Sequence, residues 1–227
     1  MMPATTPSAE KIDYLNPGVP GELPWHEVPL VRATSESLAG YGLLVDDPDH
    51  FPIEIVTWPA QGWRPVDAGT GNEAGTTKGN FRFWWEGDVL FGKNEAVQAE
   101  YLLGWSCNPG MAQRGPTPAA TPPQVLLWHA NYHPDGGQLF FPLDRQPFVC
   151  PLALPGDDVR PENFVAFVFD GSQGLYIHPN VWHEGIFPLV PQATFSDEQG
   201  RVHARVSCNL AREFGVFLSV RLTANGI

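Results

Sequence analysis

Turn-forming residues recur so densely in this sequence that no long helix fits between them. The 227 residues include 24 prolines and 23 glycines, spread without a period. Collagen-like repeats are thereby excluded, and the chain must be cut into many short elements. What lies between the turns from Ile53 to Val220 is β-rich: FPIEIVTW, GNFRFWWEGDVLF, AEYLLGWSC, PQVLLWHANYH, GQLFFPL, FVCPLAL, ENFVAFVFDG, GLYIHP and GVFLSVRL. Several of these runs alternate polar and apolar residues, which is the signature of an antiparallel sandwich or barrel. A parallel α/β fold needs helical patterns between its strands, and the sequence has none there. The expected class is all-β.

Within that class the pattern assigns further parts. Residues 1–24, rich in Pro, Ala, Ser and Thr, read as a mobile arm, or one that drapes over the body or a partner subunit. Residues 25–227 read as one domain. Ala33–Gly40 has the Ser/Thr start and Gly stop of a short helix, and 67–80 and 112–123 read as loops. Seven tryptophans (Trp58, Trp63, Trp84, Trp85, Trp105, Trp128 and Trp182) are expected mainly in the core.

Charge and cysteine content narrow the function classes. A formal net charge of −12 opposes binding to a nucleic-acid backbone or an anionic membrane. Cys107, Cys150 and Cys208 form no CxxC pair, so a disulfide framework or thiolate zinc site is not expected. The first residues lack a basic stretch followed by an apolar run, and no apolar run is long enough to span a bilayer. The expectation is a soluble cytoplasmic protein. Walker, G-x-G-x-x-G and G-x-S-x-G motifs are absent. Ser207-Cys208-Asn209 lies near His203, but no third partner suggests a nucleophile.

The chemistry concentrates in two histidine segments, Trp128-His129-Ala130-Asn131-Tyr132-His133 and His178-Pro179-Asn180-Val181-Trp182-His183. On a strand, His129, Asn131 and His133 share a face, and the PDGG turn after His133 brings Gln138 back on a neighbouring strand. Neutral imidazoles with an amide oxygen suit Zn, Ni, Mn or Fe, and the same histidines suit acid–base work near neutral pH. No carboxylate joins them in the sequence pattern, because Glu184 would point away from His183 on a strand.

The spacing is similar to that of the cupin superfamily. Its first motif falls on Asn131, His133, Gln138 and Arg145, and its second on His178, Asn180 and His183. Within that superfamily, HPDGGQLFFPLDRQPFVCPLALPGDD, FVAFVFDGSQG and YIHPNVWHEGIFPL resemble the ureidoglycolate lyase family over about residues 126–190. Compared with the compact members of that family, 191–213 reads as an insertion. The resemblance implies a cupin-type antiparallel β-barrel, or jelly roll, that forms homodimers. It also implies cleavage of ureidoglycolate to glyoxylate and urea in allantoin (purine nitrogen) breakdown. Carried onto this sequence, it makes His133, His183 and His178 catalytic candidates. Gln138, Asn131, Arg82 and Lys78 become candidates for holding a small carboxylic acid substrate. His133, Gln138, His183 and His129 become candidate ligands of a divalent metal. Two further readings stand beside it: a metal-dependent cupin enzyme acting on another hydroxy acid or sugar derivative, and a non-catalytic metabolite-binding barrel.

Overall fold

The structure is a computed structural model and describes residues 12–71, 73–202 and 204–223. It is all-β. Among the described residues, seventeen strands fall into a ten-stranded and a seven-stranded sheet, and the only α-helix is Leu210–Phe214. The sheets stay open: neither strand order returns to its start. Each is mainly antiparallel with one parallel pair, Trp25–Glu27 beside Phe217–Arg221 in the larger and Leu30–Arg32 beside Val165–Phe169 in the smaller.

The two sheets pack face to face over one apolar core. Phe83 and Phe195 of the larger sheet and Phe148 of the smaller belong to the same buried cluster, and Phe148 meets Phe195 edge-on with centroids 5.2 Å apart. Such edge-to-face pairs add about 1 kcal/mol to the burial of the rings themselves. Trp85, Trp105, Trp128 and Trp182 are core residues, whereas Trp58 is 96% exposed and Trp63 66%. Just before them Ile55 makes only an isolated bridge to Gly136, so the FPIEIVTW run does not form the expected strand.

Three other expectations are corrected. Residues 35–41 form successive turns. Leu38 N bonds Thr34 O and Ala39 N bonds Glu36 O, but the bonds never settle into a helical series. The loop expected through Asn80 ends early, because the strand Glu73–Glu86 has already begun and pairs with Gln192–Val202 along most of its length. Gly79 permits this, since a Cβ there would lie 2.5 Å from Ala96 N. Finally, 191–213 supplies a central strand rather than an appended insertion: Gln192–Val202 lies between Glu73–Glu86 and Gln138–Pro142.

Of the N-terminal residues, 12–24 lie against the body. Leu102 N donates to Tyr14 O and Gly110 N donates to Gly21 O, while Ile12, Tyr14, Val19 and Leu23 pack on a cluster that includes Trp128. Among the described residues no helix is long and apolar enough to cross a membrane.

Candidate active site

A cavity of about 300 Å³ lies between the sheets. Phe81, Phe140 and Gln138 reach it from the larger sheet, and Asn131, His133 and His183 from the smaller. The segment Pro134–Gly137 is the corner between them. It leaves His129–Tyr132 in one sheet and enters Gln138–Pro142 in the other, so His133 and Gln138 face each other across sheets rather than along a hairpin. Gly137 is required at that corner, because a Cβ there would sit 2.2 Å from Tyr176 Oη.

The two imidazoles are held in the same way. His133 Nδ1 lies 3.1 Å from the Ala204 carbonyl and His183 Nδ1 lies 2.8 Å from the Val181 carbonyl. A carbonyl only accepts, so each Nδ1 carries the proton, and a neutral ring then has its lone pair on Nε2. The ring centroids are 5.1 Å apart. Burial pushes the pKa of His183 down, against the opposing pull of the Val181 carbonyl, and this favours the neutral ring. Asn131 sits opposite His183 in the ladder and donates Nδ2 to its carbonyl at 3.3 Å. Asn131 Oδ1 is buried without a partner. Such an acceptor costs about 1–3 kcal/mol and marks a place where a ligand atom is wanted.

Gln138 has partners that the sequence reading missed. Its Nε2 donates to Asp197 Oδ1 and to Gln199 Oε1, both at 2.7 Å, and Asn94 Nδ2 donates to Asp197 Oδ2 at 2.9 Å. Asp197 is fully buried, and burial raises its pKa to about 7. The signal was present in the alternation Phe195, Asp197, Gln199 on the strand Gln192–Val202, whose inward face carries all three.

The remaining candidates divide clearly. His129 shares the strand face of Asn131 but is sealed off, with Nδ1 2.6 Å from Glu184 Oε2 and Nε2 3.5 Å from the Tyr14 hydroxyl. It therefore leaves the metal-ligand set. Glu184 itself lines the cavity, contrary to strand alternation, because the strand Trp182–His183 has ended before it. His178 lies outside the cavity lining, its ring edge-on to Tyr176. Arg82 and Lys78 are exposed on the outer side of Glu73–Glu86, and Lys78 pairs with Asp49 at 2.7 Å. The cations that line the cavity are Arg201 and Arg205. His203 lies outside the described residues.

Among the described residues no three His, Cys, Asp or Glu side chains converge as a metal cluster. Besides Glu184, which His129 engages, the donors available to a cation are the imidazoles of His133 and His183 and the amide oxygens of Asn131 and Gln138. The unpartnered Asn131 Oδ1 and the pinned Nδ1 atoms fit a divalent ion, since ligating histidines typically donate their second nitrogen to a carbonyl or carboxylate.

Comparison with known proteins is consistent with this geometry. The family model for ureidoglycolate lyase matches residues 113–209. The ureidoglycolate lyase of Azotobacter vinelandii is 36% identical over 76 residues, covering 34% of this chain and 46% of that protein. That of Salmonella enteritidis PT4 is 37% identical over 70 residues, covering 31% of this chain and 42% of that protein. The chain thus spans less than half the length of these relatives.

Proposed function

We propose that the protein is a lyase that cleaves ureidoglycolate, or a close analogue, to glyoxylate and urea in the cavity between the sheets. The observation that carries the reading is the His133–His183 pair, two imidazoles pinned at Nδ1 and facing one cavity, inside the span that matches the lyase family. In the reaction the carbinol O–H loses its proton, the C–O bond becomes the glyoxylate carbonyl, and the C–N bond breaks as the urea nitrogen takes up a proton. His183, kept neutral by burial, takes the hydroxyl proton, and His133 stands across the same space for the return step. Gln138, held by Asp197 and Gln199, orients the substrate with Asn131. The apolar wall of Phe81, Phe140 and Leu103 limits water at the breaking bond.

If a divalent metal (Ni, Mn, Zn or Fe) were held by His133, His183, Asn131 and Gln138, it would act as a Lewis acid on substrate oxygen, and the Nε2 lone pairs, taken as ligands, would then position substrate through the ion instead of carrying the proton. The substrate class is a small carboxylic acid, and the setting is allantoin breakdown in the cytoplasm. A homodimer is supported by apolar residues on open sheet edges: Leu43 is 47% exposed and Val31 37%, on the edge strands Gly42–Val45 and Leu30–Arg32. Sheet edges of this kind gain from being covered.

The test follows glyoxylate release from racemic ureidoglycolate by metal-replete and chelated protein, with His183→Ala alongside. Turnover by wild type that the variant loses supports the reading. A folded, metal-replete wild type without turnover overturns it.

A further inference from the structure

The cavity has another end, assembled from pieces far apart in the sequence. Its centre is Arg205, just beyond the strand Gln192–Val202. The backbone of Arg205 is fastened twice to the loop before Glu73–Glu86: Asp67 N donates to Arg205 O at 2.7 Å, and Arg205 N donates to Thr70 Oγ1 at 3.0 Å. The side chain is fastened three times more, one of them a hydrogen bond to the Tyr101 side chain. Nε donates to Asp67 Oδ2 at 3.0 Å, and the guanidinium carbon lies 4.4 Å from the centre of the Tyr14 ring. Asp67 is held in turn by the Ser207 hydroxyl at 2.6 Å.

Tyr14 is equally constrained. Its carbonyl accepts from Leu102 N at 2.9 Å, and its ring stands edge-on to Tyr101 at 5.4 Å and to His129 at 5.2 Å. Tyr14, Thr70, Tyr101 and Arg205 all line the cavity. A guanidinium with Nε bound and one face covered has lost most of its rotational freedom. It meets an incoming acceptor with the donors that Asp67 and Tyr101 leave over, in the plane that suits a carboxylate. Rigidity of this kind is wasted on a passive surface arginine, whose stem ordinarily stays free.

We propose that Arg205 and Tyr14 form the subsite for the substrate's carboxylate, and that the N-terminal segment carrying Tyr14, outside the matched span 113–209, is part of the site. The proposal deepens the lyase reading and takes its substrate class from it, while carboxylate binding is measurable without any turnover. Arg205 supplies the charge and the paired donors. Tyr14 holds the guanidinium plane by its ring face, so the ring matters more than the hydroxyl. Arg201 also lines the cavity, but its exposure places it at the rim.

Calorimetric titration with glyoxylate and with its neutral amide, glyoxylamide, tests this in wild type, Arg205→Gln, Arg205→Lys, Tyr14→Leu and Tyr14→Phe. Wild type should prefer the anion by about tenfold or more, as expected for paired charged hydrogen bonds. Arg205→Gln should erase the preference while leaving glyoxylamide binding intact, and Arg205→Lys should retain part of it. Tyr14→Leu should weaken it by about fivefold and Tyr14→Phe should keep it, as ring–cation contact predicts. An anion preference that survives in both Arg205 variants and in Tyr14→Leu overturns the proposal, because a merely structural role would change both ligands together. A parallel turnover assay separates the two claims. Wild type that releases no glyoxylate from ureidoglycolate, but shows an anion preference lost in Arg205→Gln, sinks the lyase reading and leaves the subsite. Wild type that turns over, with all four variants at unchanged KM, sinks the subsite and leaves the lyase reading.

Discussion

The two ends of the cavity are held by different kinds of bond. At the histidine end, Asn131 and His183 are neighbours in a ladder, and the imidazoles are pinned by main-chain carbonyls. Two short stretches of sequence supply most of that end. At the arginine end, Arg205 is held by Asp67, Thr70 and Tyr14, three positions from outside the span that matches the lyase family. Backbone-fixed chemistry leaves a compact motif in the sequence. Side-chain-fixed chemistry leaves scattered residues that only the fold collects.

The largest effects should come from the histidine end. His183→Ala and His133→Ala should each lower kcat by about a thousandfold, in the range of a lost acid–base group, with a much smaller change in KM. A large KM change at unchanged kcat in steady-state kinetics would assign these residues to binding and erase the contrast between the two ends.

Next comes the joint that ties the N-terminal half to the C-terminal half. The buried Arg64 guanidinium grips Glu213 through both Nη atoms, at 3.0 and 2.7 Å, and its Nε donates to Asp157 O at 2.7 Å. Arg64→Ala strands these partners and should cost about 3 kcal/mol, read as a lower urea midpoint. A change below about 1 kcal/mol would mean that the joint is dispensable.

The same joint gives a pH dependence. Burial would raise the Glu213 carboxyl, but Arg64 overrides it and the folded pKa is lowered below its ordinary 4.5. The stabilisation is therefore present above the unfolded value and is lost as pH falls through the folded one. Urea titrations below about pH 4.5 should show wild type losing stability more steeply than Glu213→Gln; parallel curves would remove Glu213 as the cause.

The smallest effect is expected on the outer face of Glu73–Glu86. Lys78→Ala and Arg82→Ala should leave kcat/KM within about twofold, since exposed charges away from a site contribute little. A tenfold loss in either variant would move the substrate's anion partner back to that face.

Most of the fold was readable in advance, because alternation and turn residues act locally. The runs EYLLGW, VCPLA and FLSVR each became strands. FPIEIVTW failed despite the right composition, since Ile55 finds only a bridge to Gly136 and Trp58 takes φ 60°. At the site, His133, His183, Gln138 and Asn131 converge because two strand segments and one corner carry them. Glu184 was misplaced because alternation was extended one residue past the strand's end. Asp197 and Arg205 were missed for a different reason. Alternation on Gln192–Val202 gives the face of Asp197 but not the glutamine 59 positions away that it holds, and nothing local marks an arginine that will lie against a ring 191 positions earlier.

The parallel pairing of Trp25–Glu27 with Phe217–Arg221 sets an order of events during synthesis. The early strand has no ladder partner there until nearly the last described strand has left the ribosome, so this pairing forms after translation of the body. Tyr14 lies just upstream of that strand and packs on Trp128 and Tyr101. Its segment is held by Leu102 and Gly110, and the late strand closes the chain's path beyond it. A truncated or stalled nascent chain can thus contain both histidine segments while lacking the strand that closes that path.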